Sequence, residues 1–226
     1  MNVAVFGASG MIGGGVTLEC LRDPRVESVV SVGRRPSGLA GEKLEDVVVP
    51  ELFRLGAEHG ARLGSVDACF YCLGVSSAGM AEDAYRRVTV DLTVAVLDAL
   101  LEANPDVKVC FVSGQGSDGS GRSRMMWARV KGEAENEVLA RPIEAYVFRP
   151  GFVQPLEGVR SSTTAYRVAY GLVRPITPLL VRLLPGGVTT TVRIGRAMLA
   201  AVTSGYPRAI LETRDINALG TAAEVT

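Results

Sequence analysis

One histidine and one tryptophan occur among the 226 residues, and each scarcity excludes something. With His59 alone, no histidine-based metal site is available, and a Ser-His-Asp triad has a single candidate base. His59 lies in the polar stretch "AEHGARLG", which reads as a surface loop or helix end. Net charge is also missing: 24 Lys and Arg balance 24 Asp and Glu. No global field therefore attracts nucleic acid or an anionic membrane, and no basic-aromatic cluster suggests a nucleic-acid surface. No uncharged run is long enough for a convincing membrane span. The first residues enter "NVAVFGASG" with no basic leader or cleavage site, so a cytoplasmic protein is expected.

Cysteine is sparse too, at four residues. Cys69 and Cys72 form a C-x-x-C, but inside the apolar run "VDACFYCLG", which reads as a buried strand. Residues three apart on a strand face opposite ways, so the two thiols diverge and a core role is expected in place of redox or metal chemistry.

What is abundant is apolar content, 47%, and glycine, 26 residues. Apolar β-branched runs alternate with helical spacings. "NVAVFGA" predicts a strand, and Ile12, Val16, Leu18 and Leu21 a following helix. "VESVVSVGRR", "EKLEDVVV", "VDACFYCLG", "VKVCFVSG" and "IEAYVFRPG" predict further strands. Between them lie the helical patterns "LFRLGAEHGARLG" and "AEDAYRRVTVDLTVAVLDALLEANP". "VRIGRAMLAAVTSG" then predicts a helix and "RAILE" a last strand. Strands apolar on both faces and separated by helices predict an α/β fold, a doubly wound parallel sheet of the Rossmann type, in one domain over residues 1–226. The segment 153–190 changes character. It is apolar, dotted with Arg167, Arg174 and Arg182, and broken by Pro175 and Pro178. It is expected to form a small helical cap on the substrate side of the sheet, in preference to a membrane-surface helix.

Gly7, Gly10 and Gly13 follow the first strand and open a helix with G-x-x-G-x-x-G spacing. In that context the glycines permit a tight turn, close backbone approach to a pyrophosphate, and close helix–strand packing. The helix amides and dipole then face the phosphates, with the Ser9 hydroxyl as a further donor. At the end of the second strand, where an NAD-binding protein usually carries a carboxylate for the ribose hydroxyl, stand Arg34 and Arg35. Their forked donors suit a 2′-phosphate, so NADP(H) is favoured over NAD(H).

"MMWARVKGEAENEV" predicts a helix with Trp127 one turn before Lys131. Together with "FGASGMIGGG", "VGRRP", "FYCLGVSS", "VSGQGSDGS", "VKGEAE" and "VFRPG", it makes the chain resemble an atypical short-chain dehydrogenase/reductase. More narrowly, the chain is similar to the Tat-interacting-protein-like NADPH-binding oxidoreductases, from Asn2 to about Gly220. The resemblance implies that Gly7, Ser9, Gly10, Met11, Ile12 and Gly13 hold the pyrophosphate and that Arg34 and Arg35 hold the 2′-phosphate. It implies that Leu73 and Gly74 line a ribose, and that Pro150, Gly151 and Val153 pass beneath the nicotinamide. It further implies that Ser113 orients a carbonyl and that Lys131 bridges the nicotinamide ribose hydroxyls.

The chain departs from the family pattern, Tyr-x-x-x-Lys, at Trp127. Tryptophan keeps shape and a donor N–H but has no transferable proton. Tyr85, Tyr166, Tyr170 and Ser117 are the remaining residues whose hydroxyls could border the cleft. Two functions follow: a reductase whose acceptor needs little acid help, such as a quinone or flavin, or a non-catalytic NADP(H) sensor that meets another protein. By analogy with the fold, the long helices offer a homodimer face.

Overall fold

A computed structural model of the chain describes residues 1–155 and 186–223. The elements are β1 (Asn2–Phe6), α1 (Met11–Arg22), β2 (Ser28–Gly33), β3 (Leu44–Val48), α2 (Leu55–Leu63), β4 (Ala68–Tyr71), α3 (Glu82–Arg86), a π-helical turn (Arg87–Asp91) and α4 (Leu92–Ala103). There follow β5 (Lys108–Val112), α5 (Met126–Leu139), β6 (Ala145–Arg149), β7 (Phe152–Gln154), β8 (Val188–Thr190), α6 (Thr191–Ser204), β9 (Ile210–Glu212) and α7 (Thr213–Ala222). Seven parallel strands form one sheet in the order β3-β2-β1-β4-β5-β6-β9. The expected doubly wound sheet is therefore present.

Strand alternation sorts the core into two layers. Ala4, Phe6, Cys69, Tyr71, Val109 and Phe111 pack on one face, with residues of α2, α3, α4 and α5. Val3, Val5, Ala68, Phe70, Cys110 and Val112 pack on the other, against α1, α6 and α7. The C-x-x-C behaves as the strand periodicity requires: Cys69 belongs to the first layer, while Cys72 packs against the second. Burial pushes both thiols up, Cys72 to about 12, so neither is a ready thiolate.

Helix α1 sits unusually close to its neighbours because it begins Met-Ile-Gly-Gly-Gly. A Cβ at Gly15 would lie 2.4 Å from Thr191 Cβ of α6, and one at Gly195 would lie 2.9 Å from Glu19. Glycine in a helix interior costs about 1 kcal/mol each, and here the return is close helix contact.

Three features go beyond the sequence expectation. The long helix expected over "AEDAYRRVTVDLTVAVLDALLEANP" is interrupted by the π-helical turn, at which Thr93 Oγ1 donates to the Thr89 carbonyl at 2.6 Å. A separate two-stranded parallel ladder joins β7 to β8, and α7 closes the chain after β9. The cap expected over 153–190 lies largely outside the described residues. Its described ends, Val153 and the 188–190 strand, form that ladder. Among the described residues, no helix is long and apolar enough to cross a membrane.

Candidate nucleotide site

Strand order reverses between β1 and β4, and in such sheets the ligand crevice opens at the carboxyl ends beside that reversal. The glycine turn stands there. Gly7 has φ +85°, and a Cβ on it would meet the Cys72 carbonyl oxygen at 2.9 Å and the Leu73 nitrogen at 3.1 Å. A Cβ at Gly13 would lie 2.2 Å from the Gly7 oxygen. The Gly10 amide donates to the Gly7 carbonyl at 2.9 Å, and Gly14 to Gly10 at 2.8 Å. The turn is thus closed backbone against backbone. Gly10 is the helix N-cap and offers no side-chain cap, and the first turn of α1 carries no acidic residue. The first-turn amides therefore lack an intrahelical partner at the positive end of the helix. Ser9 and Gly10 are exposed beside them, and Met11 and Ile12 are half-buried.

Arg34 and Arg35 follow β2 directly and are exposed. They stand one strand away from the glycine turn, since β2 pairs with β1 through Phe6 and Val32. The Gly7 amide donates to the Val32 carbonyl at 3.2 Å, which ties the two strand ends together.

On the other side of the reversal, α5 carries Lys131 to the ends of β4 and β5. Lys131 Nζ donates to the Val112 carbonyl at 3.4 Å and lies 5.6 Å from the Phe111 ring centroid. A Cβ on Gly74 would sit 3.9 Å from the same nitrogen. Burial pulls the lysine down to about 8, against an opposing effect of Glu135. Beneath it Phe6, Tyr71 and Phe111 stack across three adjacent strands, with centroids 5.9 and 5.4 Å apart. Each such pair contributes about 0.5–1.5 kcal/mol beyond its buried area, which adds to the packing beneath the site.

Ser113 follows β5, and its Oγ lies 2.9 Å from Ser117 Oγ. Both residues are buried. Ser117 also donates to the Gly114 carbonyl at 2.9 Å. Trp127, half-buried, reaches over this loop: a Cβ on Gly116 would lie 3.3 Å from its Cη2. The indole N–H has no hydrogen-bond partner among the described residues. Pro150 accepts from the Gln115 amide at 3.0 Å. The Gly151 amide donates to Thr213 Oγ1 at 2.8 Å, and a Cβ on Gly151 would meet the Gly187 oxygen at 2.4 Å. Val153 is buried just beyond.

The structure thus brings Gly7, Gly13 and Leu73 together. It brings Lys131 to Gly74 and to the strand end that carries Ser113, and Trp127 to the Ser113–Ser117 loop. Pro150 joins that loop through Gln115. None of the described tyrosines replaces the missing one. Tyr85 is buried in the core and hydrogen-bonds Thr89, which removes it from the cleft. Tyr71 lies under the site, but its hydroxyl is paired with Thr93 at 3.1 Å. Tyr166 and Tyr170 lie outside the described residues.

Supporting residues escaped the sequence reading. Glu135, buried on α5, accepts from Arg149 Nε at 2.9 Å and fixes α5 against β6. Asp118 accepts from the Ser123 amide at 2.6 Å and from the Ser120 amide at 2.9 Å, pinning the loop before α5. A Cβ on Gly132 would lie 2.1 Å from the Asp118 oxygen. The signal available for Glu135 was its i+4 spacing from Lys131, which puts the two on one helix face. Among the described residues, no group of three metal-ligating side chains occurs.

Fold and sheet order define an α/β protein of the Rossmann type. Its solved likenesses agree at the level of fold. The Bordetella bronchiseptica enzyme WbmF in complex with NAD+ superposes with TM-score 0.64 at 14% identity, covering 98% of this chain and 77% of that one. MoeE5 in complex with UDP-glucuronic acid and NAD gives TM-score 0.64 at 20% identity, covering 100% and 82%. These likenesses show a shared fold.

In sequence the chain is similar to the mitochondrial protein fmp52 of Aspergillus fumigatus, 30% identical over 159 residues, which span 67% of this chain and 66% of the relative. It is 28% identical to the Aspergillus clavatus fmp52 over 183 residues, 77% of this chain and 76% of that protein. No family model matches the chain. These relatives overturn the cytoplasmic expectation: both are named mitochondrial, and they point to that compartment.

Proposed function

We propose that the chain is an NADP(H)-dependent oxidoreductase of the atypical, Tat-interacting-protein-like kind, acting on a carbonyl or quinone. The observation that carries this reading is the uncapped glycine turn, where the Cβ of any other residue at Gly7 or Gly13 would strike backbone. A turn that only linked strand to helix would not need three glycines and an uncapped helix end.

Gly7, Ser9, Gly10, Met11, Ile12 and Gly13 would hold the pyrophosphate. The guanidinium groups of Arg34 and Arg35, exposed at the end of β2, would hold a 2′-phosphate and favour NADP(H). Leu73 and Gly74 would line a ribose, Lys131 would hold the nicotinamide ribose, and Pro150, Gly151 and Val153 would support the ring. The bound coenzyme supplies hydride chemistry. Ser113, fixed by Ser117, donates to the acceptor oxygen. Trp127 supplies an apolar wall where related enzymes place a tyrosine, which suits a planar acceptor.

The test is NADPH oxidation by the purified chain against carbonyls and quinones. Turnover that Ser113→Ala diminishes supports the reading. NADPH binding without turnover of any acceptor refutes the oxidoreductase and leaves a coenzyme-binding protein.

A further inference from the structure

An oxidoreductase with tryptophan in place of tyrosine still needs a proton for the oxygen of its reduced acceptor, and the surroundings of Lys131 indicate the source. Among the described residues the ammonium has one hydrogen bond, the long 3.4 Å contact to the Val112 carbonyl. Its remaining N–H groups have no protein acceptor there. On its own helix, Glu135 is bound by Arg149, which also reaches Glu212 at 3.2 Å.

Several charged groups on elements packed against α5 are likewise engaged with one another, and Arg87 lies over the Phe53 ring at 5.5 Å. Arg86 of α3 lies 2.7 Å from Asp91 and also pairs with Glu133. Arg129 pairs with Glu82 at 2.7 Å, and Arg141 with Asp98 at 2.8 Å. Lys131 thus stands half-buried with no carboxylate of its own, over an aromatic ring, at the Gly74 side of the cleft.

We propose that Lys131, besides holding the nicotinamide ribose with one N–H, is itself the proton donor of the reaction, giving the proton of its remaining N–H directly to the acceptor oxygen. The proposal rests on the oxidoreductase reading above. As hydride from the reduced nicotinamide forms the new C–H bond, the carbonyl π pair moves to oxygen. The O–H bond forms as the lysine N–H bond breaks, and the neutral amine regains its proton from solvent. The coenzyme is oxidised, the carbonyl is reduced, and one proton is consumed. Dehydration of the ammonium assists, because an acid lowered to about 8 gives up its proton near working pH far better than an exposed lysine. Trp127, which has no transferable proton, then serves as wall over Gly116.

Only three lysines occur in the chain, Lys43, Lys108 and Lys131, so carbon-13 NMR of labelled lysine in the full chain reads each side chain. The expected result is one resonance titrating near pH 8, absent from Lys131→Met, with the kcat of carbonyl reduction falling as pH rises through the same value. Lys131→Arg keeps the positive charge but cannot deprotonate. It should bind NADPH within a few-fold of wild type, as read by quenching of Trp127, while kcat falls about a hundredfold. Adding Trp127→Tyr to Lys131→Arg should restore much of the rate, because the phenol then supplies the proton. A Lys131 resonance titrating at the ordinary lysine value, or an unchanged kcat in Lys131→Arg, overturns the proposal and leaves the oxidoreductase standing. A wild type that binds NADPH and reduces nothing overturns both.

Discussion

Replacing Gly13 by alanine tests the phosphate turn with a single methyl group. The added Cβ would lie 2.2 Å from the Gly7 oxygen, 2.6 Å from its carbonyl carbon and 3.0 Å from the Ala8 nitrogen. All three are backbone atoms, so no side chain can swing away. The turn must open by about 1 Å to reach van der Waals distance. Overpacking of this kind costs about 1–3 kcal/mol, which for a chain of this length lowers Tm by about 2–12 °C. Opening the turn also moves the amides that would face the pyrophosphate, and NADPH affinity should fall at least about tenfold, or 1.4 kcal/mol. Gly60→Ala is the matched control. It lies inside α2 with nothing within 4 Å of its would-be Cβ, and alanine there should stabilise by up to about 1 kcal/mol with binding unchanged. Differential scanning fluorimetry and titration calorimetry read both quantities. A Gly13→Ala protein that melts with wild type and keeps its NADPH affinity would refute the reasoning from backbone contact to phosphate site.

Arg34→Ala should weaken NADPH by about ten- to a hundredfold, the loss of one charge-assisted contact, and leave NADH nearly unchanged. Equal losses in calorimetry would remove the 2′-phosphate assignment. Ser113→Ala should lower kcat by about 10²–10³, as loss of one preorganised donor to a developing oxyanion does, with little change in NADPH affinity. Equal effects on both would make Ser113 a packing residue. Lys131 carries a stability signature with a definite sign. Its folded pKa, about 8, lies below that of an unfolded lysine, so between about pH 8 and 10.5 the unfolded chain binds more protons. This residue's contribution to stability therefore rises with pH across that window, by about 3 kcal/mol at most. Lys131→Met should be more stable than wild type at pH 7 in urea unfolding, with the difference shrinking towards pH 10. A destabilised Lys131→Met at pH 7 would contradict the dehydrated ammonium.

Why the sheet was readable from sequence is visible in β4 and β5. Ala68–Tyr71 and the part of β5 from Val109 to Val112 are short apolar runs buried on both faces, and parallel strands between helices leave that signature. The glycine turn was readable because backbone contact forbids a Cβ, a constraint that shows directly as residue type. What stayed hidden depends on partners distant in the chain. The β7–β8 ladder pairs Phe152 with Val188, and neither three-residue segment is long enough to show a period. The π-helical turn leaves no mark in a helix whose apolar spacing continues through it. The burial of Tyr85 followed from packing of α3, which a lone tyrosine in a polar stretch does not announce. Likewise, "VKGEAE" and "VFRPG" were recognisable separately, but the Glu135–Arg149 pair that joins them exists only once α5 lies on β6.

Trp127 is the chain's only tryptophan, so its fluorescence reports the loop around Gly116 and the candidate site beside it. The most direct measurement is excitation of that indole during titration with NADPH. Saturable quenching, with sensitised emission from the reduced nicotinamide and its loss in Gly13→Ala, is the result expected if the coenzyme lies along the glycine turn with its ring towards α5. Unchanged indole emission at saturating coenzyme, or equal quenching in Gly13→Ala, would contradict it.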